Sequence, residues 1–222
     1  GEYTKLPWVY ADDWYTGLFE TGVTWTNTVT IDGSTGRGTS ARFSFTDTRN
    51  DWIMPNTGFN QQNFALALQQ KISKHIQFSG KVNYVRKDSE NMPISGYSSS
   101  SPLYGLIWNY NTNPASTYAD EYFNGRFTQA NYDAAVAGDK AGRHDLQNSL
   151  ICLDHPQKTA LKDIYNPYRT LYEELNKLDR DRVFGNVNLN IEFMPQLTLN
   201  LRGGMDMNIE WRSQQKPMLG TG

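Results

Sequence analysis

One cysteine, Cys152, stands in 222 residues, so no disulfide can form within the chain, and the redox character of its compartment stays open. No run of about 18 apolar residues occurs, which excludes a transmembrane helix. Charge of both signs nearly balances, at a formal net −2. The basic face that nucleic acid usually demands is therefore missing, and no nucleic-acid partner is expected. Only three histidines are present, and no Ser, His and Asp constellation stands out. Gly1-Glu2-Tyr3-Thr4 carries neither the basic nor the apolar region of a signal peptide. For an exported protein, such a start is expected downstream of the targeting sequence.

Aromatic residues are abundant instead, at 13% with 13 Tyr and 6 Trp. Soluble sugar-binding proteins and barrels with aromatic girdles share that bias, so composition does not separate them. A hydropathy scan reads the chain as soluble. A transmembrane strand, however, alternates apolar and polar residues and averages out as hydrophilic.

Period-two alternation recurs six times. From Phe19 to Ile31, Val23, Trp25, Val29 and Ile31 alternate with Thr24, Thr26, Thr28 and Thr30. Ser40 to Asp47 sets Ala41, Phe43 and Phe45 against Arg42, Ser44 and Thr46. Asn63 to Ile72 sets Phe64, Leu66 and Leu68 against Asn63 and Gln69, and Ile76 to Lys87 sets Phe78, Val82 and Tyr84 against Ser79, Lys81 and Asn83. Arg182 to Phe193 and Gln196 to Arg212 repeat the pattern, the last with Leu197, Leu199, Leu201, Met205, Met207, Ile209 and Trp211 on one side. A strand sends alternate side chains to opposite faces, so each segment has one apolar and one polar face. Globular strands usually run about five or six residues. Several of these run longer, as a tilted strand crossing a bilayer of about 30 Å must.

Connections alternate in length. Asp32 to Gly38, Ser73 to His75 and Met194-Pro195 are tight, Thr48 to Gln61 is longer, and Asp88 to Asp181 is very long. Outer-membrane barrels pair short periplasmic turns with long extracellular loops. By that rule the segments starting at Phe19, Asn63 and Arg182 run toward the periplasm, and those starting at Ser40, Ile76 and Gln196 run outward.

A connection as long as 88–181 needs structure of its own. Asn166-Pro167 reads as an N-cap with Pro at the first helical position, and Tyr168, Leu171, Tyr172, Leu175 and Leu178 mark an amphipathic helix. Thr128 to Ala137, ended by Gly138, is a weaker helix, and Tyr97 to Tyr110 is read as an aromatic-rich loop.

Motifs with catalytic or metal chemistry have blander readings. Gly33-Ser34-Thr35-Gly36-Arg37-Gly38 has the glycine density of a phosphate-cradling loop, but a strand follows it where such a loop needs a helix, so a hairpin turn is expected. His144, Cys152, Asp154 and His155 match no standard metal spacing, and no metal or cofactor is expected. Asp12-Asp13 and Glu173-Glu174 are adjacent carboxylates that point apart, which suits solvated surface better than acid–base work. No catalytic residue is assigned, and the chain is not expected to be an enzyme. Tyr97, Tyr104, Trp108 and Tyr110 are the candidate ligand contacts, because aromatic faces stack on sugar rings and loops carry binding residues. Their alternative role is to pack the loop against its neighbours.

Phe19-Glu20-Thr21-Gly22-Val23-Thr24-Trp25-Thr26-Asn27 followed by Ile31-Asp32-Gly33-Ser34 resembles a strand and glycine-containing turn of SusC/RagA-type TonB-dependent transporters. Phe43-Ser44-Phe45-Thr46-Asp47-Thr48, Ile53-Met54-Pro55-Asn56-Thr57, Phe64-Ala65-Leu66-Ala67-Leu68, Val82-Asn83-Tyr84-Val85 and Arg182-Val183-Phe184-Gly185-Asn186-Val187 also fit that family's pattern. The likeness covers nearly everything but the long loop; single motifs are loose, and their order and spacing carry it. It implies part of a large plugged barrel in the cell outer membrane and contact with outer-membrane lipid. It also implies a SusD-like lipoprotein partner, energy from TonB through a plug region absent from this chain, and glycan or peptide cargo. The chain is then expected to be a piece of a longer protein.

The expected fold is all-β, an antiparallel meander forming part of a transmembrane β-barrel with one long, partly helical extracellular loop. Residues 1–18 lead in, 19–87 hold four strands, 88–181 the long loop, 182–212 two strands, and 213–222 begin the next loop. Phe19, Tyr84 and Trp211 are expected at the extracellular membrane boundary and Phe193 at the periplasmic one, since amphipathic aromatics favour the headgroup level. Two alternatives remain: a soluble, secreted β-rich carbohydrate-binding module, and an outer-membrane enzyme or adhesin barrel. One continuous exposed apolar band distinguishes a membrane wall from a soluble sandwich, whose second sheet would cover it.

Overall fold

A computed structural model describes residues 9–96, 98, 100–108, 114–124 and 166–216. The six alternating segments become strands β1 (Val23–Thr35), β2 (Thr39–Asp51), β3 (Gly58–Lys71), β4 (Ile76–Ser89), β5 (Asn176–Met194) and β6 (Leu197–Gln214). They pair antiparallel in sequence order as a single open meander. Among the described residues, β1 and β6 each pair on one side only.

Residues directly opposite in an antiparallel ladder share a face. The register aligns Val29, Phe45, Phe64, Tyr84, Val183 and Met207 across all six strands, and Ile31, Phe43, Leu66 and Val82 in the next apolar row. The six apolar sets, each read separately from sequence, therefore fall on one face. A slip of one residue in any pair would have split them.

Turn chemistry holds this register. Between β1 and β2, Gly38 has φ of +89° and donates from its N–H to Thr35 O at 3.2 Å. A left-handed glycine closing a three-residue hairpin loop is the geometry that fits the twist of the flanking strands. Between β3 and β4, the Ser73 hydroxyl accepts from the N–H groups of His75 and Ile76 at 3.2 and 3.1 Å. The β5–β6 connection is the two-residue Pro195-Gln196, next to a bulge between Glu192 and Met194.

Strand ends differ from the sequence reading in one consistent way. β2 runs to Asp51, β3 begins at Gly58, β5 begins at Asn176 and β6 runs to Gln214. The 48–61 connection thus shrinks to Trp52–Thr57, and 88–181 to residues 90–175. The added residues of β2, β3 and β5 are mostly polar on both faces, so the period-two contrast fades there while the ladder continues. β1 errs oppositely. Phe19 to Gly22 precede the ladder, and Glu20 N–H instead donates to Ile53 O at 2.7 Å.

The long connection contributes α1 (Pro102–Trp108), α2 (Ala115–Asn124) and α3 (Pro167–Glu173). At α3, Asn166 Oδ1 accepts from Tyr168 N–H at 3.0 Å and Pro167 opens the helix, as its sequence indicates. The helix stops at Glu173 rather than reaching Leu178, because Leu178 pairs with Ser89 and Arg212 inside the sheet. The 97–110 segment is corrected likewise: its centre is the helix α1, with Pro102 at its start as Pro167 is in α3. The weak 128–137 helix lies outside the described residues, as do His144, Cys152, Asp154 and His155.

The buried core sits at the long-connection end, not behind the sheet. Leu18, in a 3-10 turn over Thr16–Leu18, meets Leu106, Tyr118, Tyr168 and Leu171, with Met54 and Tyr15 packed alongside. Burying side chains of this size stabilises by about 1.5–3 kcal/mol each. The lead-in segment is thereby bound into a helical cap. Asn56 and Asn91 fasten that cap to the sheet, each donating from Nδ2 to Leu171 O, at 2.8 and 2.9 Å.

Candidate functional site: two sheet faces and a helical cap

The apolar face divides into two tiers. Phe45, Phe64 and Tyr84 form a row of rings across β2, β3 and β4, with centroids 4.8 Å apart for the first pair and 6.1 Å for the second. From this row toward the tight turns the face stays largely apolar, through Phe43, Leu66, Val82 and Val187 to Ile191 and Leu199. In the opposite direction on β2 to β5 it becomes polar within one register step, at Asp47, Gln62, Arg86 and Asp181. Exposed ion pairs join Arg49 to Asp47 (3.4 Å) and Arg86 to Asp179 (3.7 Å) in this upper tier. Such pairs add little stability, typically under about 1 kcal/mol; their meaning is positional.

The apolar tier is uncovered among the described residues. Val29 is 57% exposed, Leu66 48% and Met205 58%, and no second sheet lies against them. Monomeric soluble proteins rarely leave so broad an apolar surface bare.

The other face is mostly polar, with Phe59, Val85, Leu178 and Phe184 set among hydroxyl, amide and charged side chains. Side chains of β1 and β2 form a hydroxyl ladder: Thr26–Thr48 at 3.3 Å, Thr28–Thr46 at 3.1 Å and Thr30–Ser44 at 3.2 Å. On β5 and β6, Arg182 grips Asp206 through a two-bond fork, and Glu210 binds both Arg180 and Arg212. Lys87 lies over the Phe59 ring at 3.8 Å. The amide oxygens of Asn63, Asn188 and Asn190 are buried on this face without a hydrogen-bond partner.

Of the aromatics expected to touch a ligand, Tyr104 is half-buried within α1, and Trp108 is the last residue of that helix. The Trp108 side chain lies outside the described part of the structure, as do Tyr97 and Tyr110 entirely. The structure therefore brings together only the backbones of Tyr104 and Trp108. It gathers a different aromatic group, which the sequence reading did not single out. Tyr122 stacks on Tyr172 at 5.7 Å, and Phe123 meets Tyr168 and Tyr172 edge-on at 5.8 and 5.3 Å. The available signal was the four-residue spacing in Tyr118–Tyr122 and Tyr168–Tyr172, which puts each pair on one face of its short helix. Burial and the neighbouring Glu173 push the Tyr122 hydroxyl up to about 12.

Phe19, Tyr84 and Trp211 all stand toward the long-connection end, and Phe193 stands at the tight-turn end. They do not share one register level. Trp211 lies two register steps beyond Met207, the partner of Val183 in the Tyr84 row, and Phe19 packs edge-on to Tyr15 at 5.2 Å. On β6 the apolar positions climb to Ile209 and Trp211, and on β1 to Trp25 and Val23, so the apolar edge stands higher at both sides of the sheet than on β2 to β5.

No protein-family model and no characterised protein matches this chain.

Proposed function

We propose that the chain is part of the wall of an outer-membrane β-barrel, within an energised importer of nutrients. The observation that carries this reading is the uncovered apolar tier, bounded by the Phe45, Phe64 and Tyr84 row and backed by a mostly polar face. Lipid on one side and a polar lumen on the other give both faces a solvent that suits them. Two further features support it. The apolar run on β4, Ile76 to Tyr84, spans eight rises of about 3.3 Å, which at a strand tilt of about 40° covers roughly 20 Å of the roughly 25 Å height of an outer-membrane apolar band. The free edges of β1 and β6 are long and carry exposed apolar side chains, an aggregation hazard that barrel closure removes.

The importer reading, with its SusD-like lipoprotein, TonB coupling and glycan or peptide cargo, rests on the family resemblance in the strand motifs. On this reading the helical cap sits at the extracellular rim, where cargo and lid would meet it. The test is to follow the protein that carries this chain in its own cells. Heat-modifiable migration in the outer-membrane fraction, and lost growth on one glycan or peptide source after deletion, are expected. Recovery in the soluble secreted fraction would sink the proposal.

A further inference from the structure

The polar face of β4, β5 and β6 holds a depression of about 540 Å³ lined by Lys81, Asn83, Phe184, Asn186, Arg202 and Asp206. The register builds it as three rows: Asn83, Phe184 and Asp206; then Lys81, Asn186 and Gly204; then Ser79, Asn188 and Arg202. Gly204 makes the depression possible. A Cβ there would meet Gly185 O at 3.6 Å and Asn186 Cβ at 3.9 Å, ordinary contact distances, so the glycine keeps a larger side chain out of the space between Lys81 and Arg202. Those two residues stand two strand spacings apart laterally, roughly 10 Å, within reach of long side chains converging on one group.

The charges around this space do not balance. Asp206 is the one acid lining it, and the Arg182 fork already holds its two oxygens, at 2.9 and 2.5 Å. Lys81 and Arg202 make no ion pair or side-chain hydrogen bond among the described residues. Their rows are flanked on the opposite face by Val82, Val187 and Met205, at the height of the apolar tier. Two uncompensated cations backed by a low-dielectric wall focus a field that attracts an anion. A second, independent feature concerns hydrogen-bond donors. Asn83 and Asn186 line the space, and their side-chain amides can accept from the hydroxyl groups of a ligand.

We infer that this depression is a subsite for an acidic carbohydrate, its carboxylate lying between Lys81 and Arg202 and its hydroxyls donating to the amides of Asn83 and Asn186. The inference rests on the barrel reading, which makes this face the lumen wall, and narrows its cargo to sugars carrying negative charge. A neutral glycan would leave both cations bare, and an acidic peptide would bring a carboxylate with few hydroxyl donors.

The test uses the purified full-length protein in detergent, with trigalacturonate, maltotriose and triglycine as probes. Trigalacturonate binds at least tenfold more tightly than maltotriose or triglycine, and moderate salt weakens that preference. Lys81→Gln and Arg202→Gln each weaken trigalacturonate roughly tenfold, the worth of one charged hydrogen bond, and leave maltotriose unchanged. Lys81→Arg keeps binding. If the Gln variants fail to insert, the salt dependence of the unaltered protein and Lys81→Arg decide. Equal binding of charged and neutral trisaccharides, a preference for triglycine, or Gln variants that bind like the parent overturn the subsite. They leave the barrel standing. Recovery of the protein outside the membrane overturns both, and fractionation detects that separately.

Discussion

Tyr84 donates its hydroxyl to Asp181 Oδ1 at 2.5 Å, joining the last row of the apolar tier to the first row of the polar one. The ring stacks on Phe64 below while the oxygen reaches the carboxylate above. This is how an amphipathic side chain behaves where an apolar medium meets a wet one. Tyr84→Phe keeps the ring and removes the bond. It should cost about 1.5–3 kcal/mol, the range for one hydrogen bond to a charged partner. Denaturant unfolding of the protein in lipid vesicles checks this, and a loss beyond about 3 kcal/mol would show that the hydroxyl does more than mark a border.

A charge placed in the middle of the apolar tier should be far worse than one placed above it. Val82→Arg faces the same side as Tyr84, one row deeper, and should destabilise by about 2–4 kcal/mol if lipid covers that face. Gln62→Arg, in the polar tier, should stay within about 0.5 kcal/mol. The same unfolding titration reads both. Equal effects would mean that water wets the whole face.

Alkali should loosen the helical cap before the sheet. Burial, and then Glu173 by its charge and by a side-chain hydrogen bond, raise Tyr122 to about 12 from an ordinary value near 10. Tyr168 and Tyr172 are also raised, by burial first and then by Glu20. A folded-state value above the unfolded one favours the neutral phenol in the folded protein. The contribution to stability is therefore complete below pH 10 and is lost as pH rises through about 12. Near-ultraviolet dichroism of the tyrosines should collapse across that window while the strand signal persists. Phenolate absorbance titrating as one transition near pH 10, with the ring signal intact, would contradict the packing described here.

Much of the sheet was legible because alternation and turn chemistry agree. Phe64, Leu66 and Leu68 could be assigned to one face from spacing alone, and the register then aligned them with Phe45, Phe43 and Ala41. The upper strand ends were not legible. From Lys177 to Asp181 the residues other than Leu178 are charged, so no contrast between faces announces a strand, although the ladder with β4 runs through them. Leu178 was misread for a related reason. Its spacing from Leu171 and Leu175 suits a helix, but cross-strand pairing fixes it in β5. In the cap, the Ser101-Pro102 start of α1 was masked by Gly105 and by the aromatics around it. The Tyr122, Phe123, Tyr168 and Tyr172 group unites helices far apart in sequence, and local periodicity carries no information about such a meeting. On the polar face, the space between Lys81 and Arg202 depends on Gly204 facing Asn186. That juxtaposition exists only once the register is known.

The most direct test is a nitroxide scan of β4 in the lipid-reconstituted protein, with Cys152 replaced by serine. Single cysteines at Phe78, Ser79, Lys81, Val82, Asn83 and Tyr84 would be labelled in turn, and each collision rate measured with oxygen and with a water-soluble nickel chelate. The account predicts a period of two: oxygen dominates at Phe78, Val82 and Tyr84, and the chelate gains at Ser79, Lys81 and Asn83. Even-numbered positions open to the chelate, or shielded from both reagents as under a second sheet, would contradict the claim that this face meets lipid.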